Sequence, residues 1–457
     1  MQSPIKSNIA GFAAPTVFCA GFFSIFTAFY FDFGHVNMRL NDIAYFFVLG
    51  ISFLWLEKRT FRVTNIGLLP VIFCSIVVLF YSVNLFHIPE LTPDFSSGAV
   101  KYFFNRIPWL FAYILMLSIL RGLFVEMFIK GFICGTLFNA GLTILEAITF
   151  LTSGRGIEYR FLGSIFIQTQ AEKALVNQDL LRPTGVTIDP NYAASYAFLA
   201  ILLLDFLQSK CSNKRRTILY GLLKIIIFVP AFMLQSRTAI FSFLITFFLS
   251  VFLRMFNNKR MVVVPKLALV VLITLLAAGA YLKTAMPDYY ATAYKRILLA
   301  DQSSGTRMLY LDEYFSRTLN PNSFPYQGLL GHGTGSSGYF LGNVGYGVEK
   351  RWSPESNYLT ILIEQGGIFL CFYTLSLAYL FFRLLKYDHR LALCAFYLCT
   401  IGLTYNFLGD RVYWIFLVTF MCIPMVLQSP LVASAGKTLF SQNRFREHSE
   451  KVYPNGA

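Results

Sequence analysis

Four polar clusters interrupt an otherwise apolar chain. The first is Leu181-Arg182-Pro183-Thr184-Gly185-Val186, followed by Asp189-Pro190-Asn191-Tyr192. The second is Gln235-Ser236-Arg237-Thr238, and the third is Ser303-Ser304-Gly305-Thr306-Arg307. The fourth runs Gly331-His332-Gly333-Thr334-Gly335, then Glu355-Ser356-Asn357-Tyr358, then Glu364-Gln365-Gly366-Gly367. Arginine presents a planar fork that can hold two phosphate oxygens at once. Arg182, Arg237 and Arg307 are therefore candidate anion binders. A carboxylate or imidazole within hydrogen-bond reach can take a proton from a hydroxyl, which makes Glu355 the first candidate base and His332 the second. The glycines from Gly331 to Gly335 let backbone approach a bulky ligand.

Each residue also has an ordinary structural reading. Arg237 could anchor a helix end by reaching into lipid headgroups. Arg182 and Arg307 could be loop cations, and Glu355 could simply favour a helix dipole. His332 could be a solvated loop histidine, and the glycines could be turns. The five histidines and eight cysteines show no metal-ligand spacing. Metal sites and cofactors are therefore not expected, and cationic chemistry falls to arginine.

The elements that position these clusters are set by composition. The chain has 457 residues, 56% of them hydrophobic and 13% charged, and its mean hydropathy is +0.58. Soluble domains average about 25% charged residues, so this chain has too little polar surface to cover soluble cores. A bilayer core of about 30 Å takes roughly 20 apolar helical residues. Candidate spans run Ile9–Phe31, Ile43–Leu56, Ile66–Phe86, Ile107–Leu120, Leu123–Leu151 and Tyr192–Leu207. They continue with Ile218–Leu234, Ile240–Met255, Val262–Leu282, Tyr358–Phe382, Leu391–Phe407 and Val412–Leu427. The expectation is an all-α polytopic membrane protein of about twelve transmembrane helices. The count falls to eleven or ten if the fourth span, which runs into Arg121, is not separate.

This divides the chain into spans one to five (1–151), a loop with spans six to nine (152–282), a large polar loop (283–357), three last spans (358–428) and a basic tail (429–457). The short connectors Glu57–Arg62, Ser209–Arg216, Phe256–Arg260 and Arg383–Arg390 are basic, as is the tail. Twelve alternating spans put all of them on one face, and lysine and arginine mark the cytoplasmic face. The net charge of +15 is then topogenic, and no nucleic-acid partner is implied. The four clusters fall together on the opposite face. Glu126 and Lys130, four apart, are expected to pair, and Asp205 is expected to reach water at the cytoplasmic end.

The order and placement of these motifs resemble the O-antigen polymerase and O-antigen ligase superfamily of bacterial inner membranes. The resemblance covers roughly residues 180–380. It implies a multi-pass inner-membrane protein with its active face periplasmic, similar to the GT-C-type fold. It further implies a metal-independent glycosyltransferase that uses undecaprenyl-diphosphate-linked oligosaccharides. Arg182, Arg237, Arg307 and Asn357 would bind substrate, and Glu355 or His332 would act as base. Membrane lipids are partners of any such protein, and a chain-length regulator protein is a further partner that the resemblance admits. Ligases resemble one another in a His-Asn pair, where this chain has Ser356-Asn357. That departure favours a polymerase over a ligase passing glycan to lipid A-core. A flippase for lipid-linked oligosaccharide, which is not an enzyme, is the competing class. Transporters bind at mid-membrane, whereas charge here is concentrated outside the spans.

Overall fold

The structure is a computed structural model. It describes residues 4–27, 29–32, 37–56, 68–85, 125–149, 152, 185–187, 189–234, 236–257, 284, 325–334, 336, 356–408 and 410–428. Eleven helices are bounded among them: α1 Pro4–Phe23, α2 Leu40–Leu56, α3 Leu68–Leu85, α4 Val125–Thr149, α5 Pro190–Ser209, α6 Lys214–Met233, α7 Arg237–Asn257, α8 Pro325–Leu330, α9 Asn357–Tyr387, α10 His389–Thr404 and α11 Arg411–Gln428. Helices α4, α5, α6 and α9 are long and apolar enough to cross a membrane. Shorter apolar stretches occupy α1, α2, α3, α7, α10 and α11. The architecture is that of a helical membrane protein. The predicted spans Ile107–Leu120 and Val262–Leu282 lie outside the described residues, as does most of the large polar loop.

One element departs from the all-helical expectation. The first predicted span, Ile9–Phe31, is helical only to Phe23. Residues Tyr30–Asp32 (β1) instead pair antiparallel with Asn37–Arg39 (β2), Tyr30 opposite Arg39. Hydropathy does not distinguish helix from strand at these positions, and aromatic residues such as Tyr30 and Phe31 favour strands.

Contacts along the helices fix their directions. Phe132 and Asn139 of α4 meet Tyr196 and Val186 in that order, so α4 and α5 are antiparallel. Phe73 and Phe80 of α3 meet Phe372 and Phe369 of α9, again antiparallel. The helices thus share two ends. At one, Lys210 pairs with Asp388 at 2.8 Å, and Asp205 takes both Lys224 at 2.9 Å and Arg390 at 3.2 Å. Asp205 is partly exposed, as expected, but its partners are protein cations. The connectors 209–216 and 383–390 lie at this basic end. At the other, polar end lie the starts of α5, α7, α9 and α11. The Glu126–Lys130 pair forms at 2.7 Å.

Helices α1 and α4 run parallel with backbones in close approach. A Cβ on Gly131 would strike the Phe18 backbone, and one on Gly135 that of Phe22. Small residues four apart allow such contact, which apolar surroundings otherwise reward weakly. Gly131→Val should lower stability by about 1–3 kcal/mol through overpacking. Gly141→Ala, where nothing lies within 4 Å, should be neutral. Unfolding temperatures of the detergent-purified variants test this.

Candidate functional site

The polar end is built from helix-initiating residues. Asp189 caps α5, its side chain accepting from the Asn191 N–H, and Pro190 follows with its pre-set φ. Asn191 Oδ1 then accepts from the Ser236 hydroxyl at 2.8 Å. Ser236 Oγ in turn accepts from the Ala239 N–H at 3.3 Å and so caps α7. This places Arg237, the first residue of α7, half-buried at the polar end.

A second set of contacts joins α9 to α11. Ser356 caps α9. Asn357 is fully buried, and its Oδ1 accepts from the Phe407 N–H at 2.5 Å and the Leu408 N–H at 3.1 Å. Asn406 donates to the Thr360 hydroxyl at 2.9 Å, and its carbonyl accepts from the Tyr192 hydroxyl. Tyr192, Tyr405 and Phe407 pack edge to face, with ring centres 4.9–5.3 Å apart. The Tyr405 hydroxyl lies beside the Asp189 carboxylate and can donate to it.

Three ionisable residues here escaped the sequence reading. Asp410 caps α11 by accepting from the Val412 N–H at 3.1 Å and also takes the Tyr196 hydroxyl. Arg411 pairs with buried Asp42 of α2, whose other oxygen accepts from the Arg39 N–H at 3.0 Å. Their sequence signal was Asp410-Arg411 in a short connector between two apolar runs. Glu146 and Asn139 of α4 were missed too. Glu146 accepts from the Gly185 N–H at 2.9 Å and Asn139 from the Val186 N–H at 2.7 Å. They hold the stretch that follows Arg182.

His332 belongs to a separate group. Helix α9 is interrupted at Gly366, whose φ is 80°. The carbonyls this frees are taken by residues after α8. His332 N–H donates to Ile363 O at 2.8 Å, and Gly333 N–H to Glu364 O at 3.1 Å. Gly331, at φ 82°, crosses so close that a Cβ would meet Glu364, and a Cβ on Gly366 would meet Leu329. Glycine is required at both positions for its conformation and its size. Gln365 donates to the Thr334 hydroxyl at 2.9 Å, and Thr334 donates to Tyr81 O at 3.1 Å. The His332 backbone attaches six residues into α9, about 9 Å along its axis from Asn357. The structure thus links Arg237 and Asn357 through α5 and the α10–α11 connection, and joins His332 to them along α9. Arg182, Arg307 and Glu355 lie outside the described residues. A cavity beneath the polar end, bordered by Ser195, Tyr397 and Tyr413, has room for about one water and none for a sugar.

No protein-family model matches the chain, and no characterised protein is significantly similar to it.

Among the described residues, the buried Asn357 oxygen is the side-chain acceptor of the Phe407 N–H. Asn357→Ala should therefore cost about 1–3 kcal/mol, read as a lower unfolding temperature. Lost activity at unchanged stability would instead mark Asn357 as a substrate ligand alone.

Proposed function

We propose that the protein is an O-antigen polymerase, a periplasm-facing glycosyltransferase that joins undecaprenyl-diphosphate-linked oligosaccharide units into a polysaccharide. One observation carries this reading: the starts of α5, α7, α9 and α11 meet at one end, away from the basic connectors. That convergence brings Arg237 to the same end as Ser356, which follows Glu355, and Gly185, three residues after Arg182. The helix directions support twelve crossings. Helix α3 ends at the polar end while α4 begins at the basic end. Helix α7 ends at the basic end, whereas residues following α8 pack on α3 at the polar end. Each gap joins opposite ends, as a further crossing would. A GT-C-type arrangement is part of the same proposal.

In the reaction, an acceptor sugar hydroxyl attacks the anomeric carbon of the donor glycan. The bond from that carbon to the lipid diphosphate breaks with inversion. The hydroxyl proton passes to Glu355, or to His332. Arg182, Arg237 and Arg307 hold the diphosphate as negative charge grows on its leaving oxygen, the kind of stabilisation that usually dominates catalysis. A transporter would share the twelve crossings and also an interrupted helix such as α9. Here Gly331–Thr334 fill the interruption instead of leaving it open to a substrate, which favours the transferase.

The lipopolysaccharide ladder of cells carrying variants tests the proposal. Arg237→Ala at normal protein level should reduce polymerisation about a hundredfold or more. Arg237→Lys should recover a minority of it, because a point charge replaces the fork. Glu355→Ala should reduce polymerisation more than His332→Ala does. Deletion should leave lipid A-core capped by one repeat; uncapped core would contradict the polymerase reading and point to a ligase or a flippase. Normal long chains in Arg237→Ala would refute the site.

A further inference from the structure

We infer that the basic end of α6 binds an anionic diacyl phospholipid, with Lys214, Arg215 and Arg216 on the headgroup phosphate and the exposed side of the same helix along the acyl chains. Two observations carry this, and neither depends on the proposed reaction.

The first is a local charge imbalance. Residues 205–224 and 383–390 contain eight lysines and arginines but only two carboxylates, Asp205 and Asp388. Both carboxylates are occupied, Asp388 by Lys210 and Asp205 by Lys224 and Arg390. Glu126 of α4 lies within electrostatic reach of Tyr220 on α6, yet it is tied to Lys130 at 2.7 Å. Lys214, Arg215 and Arg216 are exposed and consecutive, and no carboxylate among the described residues pairs with them. Adjacent like charges repel, so a bound anion would stabilise all three.

The second observation is the surface that continues from them. Ile218, Leu222, Ile225 and Val229 are each more than half exposed. Their spacing of four, three and four puts them on one face of the helix. Among the residues of α6, only Ile227, Pro230 and Ala231 are buried. The helix is about 30 Å long, enough to lie beside a lipid from its headgroup to its chain ends. A cationic head above an apolar strip complements a lipid that carries net negative charge. A zwitterionic lipid would set a choline or ammonium against the same cations.

The test is native mass spectrometry of the full-length protein. It is released from nanodiscs holding equal amounts of phosphatidylglycerol and phosphatidylcholine with identical acyl chains. Wild type should retain phosphatidylglycerol at least tenfold over phosphatidylcholine. Lys214→Gln/Arg215→Gln/Arg216→Gln should lose that preference while its helicity by circular dichroism is unchanged. Ile218→Ser/Val229→Ser, which keeps the charge, should weaken retention of both lipids and covers the case in which the triple variant fails to fold. Equal retention of the two lipids by wild type would overturn the inference, as would an unaltered preference in the triple variant. Displacement of phosphatidylglycerol by millimolar inorganic phosphate would overturn it in favour of a free-anion site. A dimer mass abolished by Ile218→Ser/Val229→Ser would overturn it in favour of a second copy.

Discussion

A backbone N–H or C=O cannot be left unpaired in apolar surroundings, and this constraint organises the polar end. Every helix that starts there exposes N–H groups that its own turns cannot satisfy. Asp189, Ser236, Ser356 and Asp410 close the starts of α5, α7, α9 and α11. Several of the same side chains also reach a neighbouring helix, since Ser236 bonds Asn191 and Asp410 takes Tyr196. Asn357 satisfies backbone beyond its own helix, in the α10–α11 connection. Terminating the helices and fixing their arrangement are therefore the same act. A cluster of short polar side chains results where the candidate chemistry lies.

The interruption of α9 obeys the same rule. Gly366 turns the chain out of helical geometry, and two N–H groups from His332 and Gly333 repair the exposed carbonyls. The repair positions His332 by its backbone and leaves its imidazole half-buried. The basic end works by different physics. Its helix ends are joined by ion pairs between long side chains, with cations in excess. One end is thus joined mainly by short hydrogen-bonding groups, with the Arg411–Asp42 pair among them, and the other by ion pairs with cations in excess.

The sequence disclosed much of this because hydropathy is local. The stretches that form α2 to α7 and α9 to α11 were legible as apolar runs, and their basic connectors as one group. Gln235-Ser236-Arg237-Thr238 and Asp189-Pro190-Asn191 stood out as polar residues at span entrances. What stayed hidden depended on partners distant in sequence. Asp42 and Arg411 are 369 positions apart and look like unrelated charges until α2 meets α11. Asn139 and Glu146 read as residues of an apolar helix, with nothing local to tie them to Gly185 and Val186. Gly131 and Gly135 required knowing that α1 lies against them. Gly366-Gly367 was visible as a motif, but the interruption it makes depends on the backbone of Gly331 crossing there.

The central claim is that the polar and basic ends lie on opposite sides of one membrane. Cysteine labelling in intact cells tests it most directly, using Thr238→Cys at the polar end and Ser212→Cys at the basic end of an otherwise cysteine-free chain. A membrane-impermeant maleimide should label Thr238→Cys while the membrane holding the protein is intact, and Ser212→Cys only after that membrane is permeabilised. Labelling of both positions from the same side would contradict the account.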